Sequence, residues 1–94
     1  MNNAPLYKAA MKTVNGSQAV IIIDLCVPGR MSVTNGAERV LQEVRALFGA
    51  LPEQIYYRDS EGSWAQMHEQ HDGNVVFSDV PASKYDELAL GDEQ

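Results

Sequence analysis

An α+β fold, with an antiparallel four- to five-stranded sheet crossed on one face by a long helix, follows from three features of this 94-residue sequence. One stretch is amphipathic at helical spacing and has both ends marked. An apolar strand precedes it. Behind it come short β-prone segments separated by turn residues.

The helix is expected over residues 35–48. Ala37, Val40, Leu41, Val44, Leu47 and Phe48 recur at the three-and-four spacing of one face, while Glu38, Arg39, Gln42, Glu43 and Arg45 take the other. Asn35 with Glu38 three residues on reads as a capping box, and Thr34 competes for the cap one residue earlier. Arg45 complements the dipole in the last turn, Gly49 supplies a stop and Pro52 forbids continuation.

Ahead of the helix, Leu6–Val14 suits either a strand or a short helix. Asn15-Gly16 decides for a hairpin, since both residues tolerate positive φ. The second strand, Gln18–Val27, sets Ala19, Ile21, Ile23 and Leu25 on one face and Val20, Ile22 and Cys26 on the other, with Asp24 interrupting the second set. Two apolar faces place this strand centrally in the sheet. Pro28-Gly29 ends it in a turn.

Behind the helix, Gln54–Arg58 is β-prone. Asp59-Ser60-Glu61-Gly62 is a turn in which Asp59 bonds the backbone ahead, and Ser63–Glu69 follows as a strand. Asp72-Gly73 marks the next turn, Val75–Val80 the last strand, and Lys84–Leu90 a short C-terminal helix. The chain therefore reads as a single domain over 1–94, with 1–5 and 91–94 expected to be mobile ends.

Composition narrows the function. Hydrophobic residues make up 45% and charged residues 21%, the balance of a globular chain. No apolar run reaches the roughly 18–20 residues of a membrane span, and no basic-then-apolar leader opens the chain. Cys26 stands alone, which excludes an internal disulfide and fits a small buried hydrophobe in a reducing, cytoplasmic compartment. The net charge of -6 is unevenly spread: residues 1–49 carry +2 and residues 50–94 carry -8. Such acidity repels nucleic-acid phosphates, so no direct nucleic-acid binding is expected, and it attracts a protein partner with a basic surface. The plainer use of the same charge is solubility.

Candidate sites follow from this. The acidic turns offer Asp59, Glu61, Glu69 and Asp72 as contact residues. Tyr56, Tyr57, Trp64 and Phe77 fall on three adjoining strands, so Tyr56 and Trp64 are expected on an open aromatic face for a partner or a second copy, unless the C-terminal segment folds back over it. Arg30, Ser32 and Thr34 ahead of the helix form a candidate anion site, against the simpler use of the two hydroxyls as caps. His68 and His71 could take a metal only by borrowing Asp72 or Glu61. They stand three apart on a strand and turn, without the helical four-residue spacing of a zinc motif, so no metal or cofactor is expected. No serine or cysteine carries a nucleophile motif.

The run Ser32-Val33-Thr34-Asn35-Gly36-Ala37-Glu38-Arg39-Val40, with Tyr57-Arg58-Asp59-Ser60-Glu61-Gly62-Ser63-Trp64, resembles small proteins of tailed bacteriophages and prophages. The resemblance covers scattered blocks between residues 28 and 80, and those relatives favour an acidic residue where this chain has Gly36. It implies a phage accessory protein and carries no catalytic residue across. The expected function is thus a non-enzymatic interaction protein. The rival readings are an acidic mimic of nucleic acid, and a small ligand- or metal-binding enzyme.

Overall fold

The computed structural model describes residues 6–25 and 32–90. Cys26, Arg30, the Pro28-Gly29 turn and the two chain ends expected to be mobile lie outside the described residues. Five strands form one sheet in sequence order: β1 (Tyr7–Val14), β2 (Ser17–Asp24), β3 (Gln54–Arg58), β4 (Trp64–Glu69) and β5 (Val75–Asp79). Helix α1 (Ala37–Phe48) lies between β2 and β3 in the chain, and a short 3-10 turn at Ala82–Lys84 leads into α2 (Tyr85–Leu88).

The turn chemistry acts as the sequence implies. Asn15 and Gly16 both adopt positive φ, 53° and 78°, and close the β1–β2 hairpin in two residues. Asp59 Oδ1 accepts the amides of Glu61 and Ser63, each at 2.9 Å, and Asp72 Oδ1 accepts that of Asn74 at 3.0 Å.

One strand pairing departs from the all-antiparallel expectation. β2 and β3 are parallel, Val20 lying opposite Ile55 and Ile22 opposite Tyr57, while the other three pairs are antiparallel. The cause is α1, a crossover that carries the chain back to the end of the sheet where β2 began. The sheet is therefore mixed.

Alternation along β2 builds two cores. Val20 and Ile22 pack with Val33, Ala37, Val40, Leu41, Val44, Ile55, Tyr57 and Met67 beneath α1. Ala19, Ile21 and Ile23 pack with Val14, Tyr56, Trp64, Val80 and Leu88 on the opposite face. Tyr57 and Phe77 meet edge to face with ring centroids 5.4 Å apart, which ties β5 into the first core.

The helix departs from expectation at both ends. It begins at Ala37 with Gly36 as N-cap and no side-chain cap bond, so the Asn35/Glu38 capping box does not form. The preceding turn uses Ser32 instead, its Oγ accepting the Asn35 amide at 3.3 Å. In the last turn Leu47 is 69% exposed, whereas Ala37, Val40, Leu41 and Val44 are buried. Leu47 lies at the margin of the apolar stripe, about 70° round the helix from its centre at 100° per residue.

Candidate functional site

The most tightly specified polar cluster sits where β2 gives way to the crossover. Asp24 is the last residue of β2 and only 4% exposed. Its Oδ2 accepts the Val33 amide at 3.1 Å and the Tyr57 hydroxyl at 2.7 Å, and the Tyr57 oxygen in turn accepts the Thr34 hydroxyl at 3.1 Å. Burial pushes the Tyr57 hydroxyl well above the ordinary tyrosine range; the Thr34 hydrogen bond opposes this rise and Asp24 adds to it. Tyr57 therefore stays protonated and remains a donor to the carboxylate. The signal for this cluster in the sequence is one acidic residue inside an apolar strand, together with a tyrosine on the neighbouring strand.

This geometry bears on the candidate anion site. Thr34 is committed to Tyr57, Ser32 to the Asn35 amide, and the Val33 amide to Asp24. Of the three residues expected to hold an external anion, Ser32 and Thr34 are bonded within the chain and Arg30 lies outside the described residues, while the amide between those two hydroxyls is taken by an internal carboxylate. The cluster fastens the crossover to β2 and β3. Beside it, a shallow pocket of about 310 Å³ opens between the first turn of α1 and Val75, its polar lining including Glu38 and Arg39.

The expected open aromatic face is closed. Tyr56 is 8% and Trp64 5% exposed, and both belong to the core completed by Leu88, with Tyr85 and Leu90 packed at its margin. Lys12 Nζ donates to the Ala89 carbonyl and fastens the C-terminal segment to β1. Tyr56 also donates to Gln54 Oε1 at 3.0 Å. The segment after Pro81 folds back and covers the face, the alternative the sequence had left open.

The four acidic turn residues do not share one surface. Asp59 and Glu61 lie in the β3–β4 turn, Glu69 and Asp72 at the β4–β5 turn, and these turns occupy opposite ends of β4, a separation of about 17 Å for a strand of this length. Asp59 and Asp72 hold their own turns, and Glu69 pairs with Arg45 of α1. Asp79, opposite Ala65, shares the end of the sheet that carries Asp59 and Glu61.

His68 and His71 also separate. His68 Nε2 meets Ser78 Oγ at 2.8 Å across β4 and β5 on an exposed face, while His71 lies in the turn beyond. Among the described residues, no group of three or more histidine, cysteine, aspartate or glutamate side chains is placed to hold a metal ion. Nor is any helix long and apolar enough to cross a membrane. Compared with family models, curated proteins and solved structures, the chain matches none of them.

Proposed function

We propose that this chain is a non-enzymatic interaction protein, an accessory factor of a bacteriophage or prophage, that engages a basic surface of a host or phage protein through the end of the sheet bearing the β3–β4 turn. The observation carrying this reading is the placement of charge. Asp59, Glu61 and Asp79 share that end with one base, Arg58, whereas at the opposite end Arg45 pairs with Glu69 beside Asp72. Exposed carboxylates on a rigid hairpin raise the rate of encounter with a basic partner. Nucleic-acid mimicry, which needs an extended row of carboxylates, gains no support from four residues split between two ends.

The test begins with capture of a partner from bacterial lysate on the tagged chain. Glu61→Gln with Asp79→Asn should lower its association rate about three- to tenfold at low salt, and the difference should vanish as salt screens the charges. Asp59 is left in place because it builds the turn. A partner that binds parent and variant equally fast at low salt would leave the acidity a solubility device.

A further inference from the structure

The two edges of the sheet are complementary to each other. Just beyond the paired ends of β1 and β2 the Leu25 amide donates to the Leu6 carbonyl at 3.0 Å, in register with the Tyr7–Asp24 to Val14–Ser17 pairing. Hydrogen-bonded pairs alternate along an antiparallel ladder, so the even-numbered residues of β1 bond to β2. The backbone groups of Tyr7, Ala9, Met11 and Thr13 then point away from the sheet. At the other edge the Gln70 amide donates to the Asn74 carbonyl at 2.8 Å, which assigns the even-numbered residues of β5 to β4. Val75, Phe77 and Asp79 present theirs outward.

Both outward sets carry their side chains on the α1 face, as shown by Tyr7 and Ala9, and Val75 and Phe77, packing against the core beneath that helix. A β1 edge laid antiparallel on the β5 edge of another copy therefore keeps α1 on the same side in both. Val75 would meet the 39% exposed Met11, Phe77 would meet Ala9, and Asp79 would meet Tyr7. The charges select this pairing over its rivals. β1 holds Lys8 and Lys12 and no acid, while β5 holds Asp79 and no base, and its turn holds Asp72, bonded to Asn74. In this register Lys12 lies opposite Asn74 and beside Asp72. A β1–β1 contact sets two pairs of lysines along one seam, and a β5–β5 contact brings Asp79 and the turn's Asp72 of both copies to one seam with no base.

We infer that β1 of one copy of this chain pairs with β5 of the next, a head-to-tail contact that extends the sheet from molecule to molecule. A contact of this kind has a free edge at each end and adds further copies unless it closes into a ring.

The test blocks each edge separately. Met11→Pro removes an outward amide from β1, and Val75→Pro removes one from the first residue of β5, both positions where an edge strand accepts proline. By sedimentation equilibrium the parent should show a mass that rises with concentration above the 10.4 kDa monomer. Each variant alone, with native circular dichroism, should stay monomeric. Mixed in equal amounts they should form a dimer and stop there, because each supplies the edge the other lacks. A parent that remains monomeric at millimolar concentration overturns the inference and leaves the lysines as guards of a solitary edge. So does a Val75→Pro variant that dimerises by itself, which would point to β1 pairing with β1. Should a variant fail to fold, the parent's concentration dependence and the other variant still decide the matter.

Discussion

The two faces of this sheet are built from the same strand but closed by different means. Beneath α1, Val20 and Ile22 are sealed by a helix that is itself the link between two parallel strands. On the opposite face, Ile21 and Ile23 are sealed by the segment after Pro81, held through Leu88 and the Lys12–Ala89 bond. A cover that is also a crossover stays tied to β2 at one end and to β3 at the other. Among the described residues the segment after Pro81 links no two strands, so it can lift while the sheet stays paired. The first cover is thus tied to two strands of the sheet, whereas the second follows β5 and is held by Leu88 and Lys12.

Charges inserted under each cover sharpen this contrast most. Val44→Asp, on the sheet-facing side of α1, should cost about 4 kcal/mol or more in chemical denaturation, a large share of a small domain's stability. Leu88→Asp should cost less, because the segment after Pro81 links no two described strands and can turn its charge to water by detaching. Equal losses from the two would show that both covers belong to one cooperative unit. On α1 itself, Leu47→Asp at the exposed margin should stay within about 0.5 kcal/mol of the parent.

The next effect isolates the buried carboxylate that fastens the α1 face. Asp24→Ala leaves the Val33 amide and the Tyr57 hydroxyl without their buried acceptor, and should cost about 2–4 kcal/mol. Thr34→Ala, which removes a donor to Tyr57 from a more exposed position, should cost under about 1 kcal/mol. If denaturation ranks Thr34→Ala as the more damaging, the fastening is not centred on the carboxylate.

A smaller effect comes from alkaline titration. Burial, and then the hydrogen bond donated to Glu43 Oε1 at 2.8 Å, push the Tyr7 hydroxyl up to about 12, and Tyr57 rises too. A hydroxyl whose pKa is higher folded than unfolded contributes stability that is complete below about pH 10. That contribution is lost as pH climbs through the folded value. Stability should therefore fall above pH 10, and Tyr7→Phe together with Tyr57→Phe should flatten the fall. An unchanged slope in the double variant would place the alkaline transition elsewhere.

Local chemistry made much of this fold legible. Asn15-Gly16, Asp59 and Asp72 announce their turns because the bonds they make span only a few residues. The alternation in β2 names both cores because its period is a property of the strand. What was not legible depends on contacts distant in the chain. The parallel pairing of β2 with β3 is set by the path of the crossover. The capping box at Asn35 and Glu38 lost to a turn built on Ser32, Val33 and Asp24, and the Asp24–Tyr57 bond joins residues 33 apart. Of the candidate contact residues, Asp59 and Glu61 sit where their turn was expected. The strand read between the two turns already implied that Glu69 and Asp72 lie at the far end from Asp59 and Glu61, but the sequence could not show which of two allowed arrangements holds Tyr56 and Trp64.

That last choice is the pivot between an interaction surface on the aromatic face and one at the acidic end. The chain has a single tryptophan, Trp64, and it lies in the core closed by Leu88. Its fluorescence in the native protein, with acrylamide as quencher, tests the account most directly. Blue-shifted emission that resists quenching, and becomes open to it in Leu88→Asp, is the expected result. Emission at the wavelength of free tryptophan, quenched as readily as in the unfolded chain, would contradict the account and return the aromatic face to the list of contact surfaces.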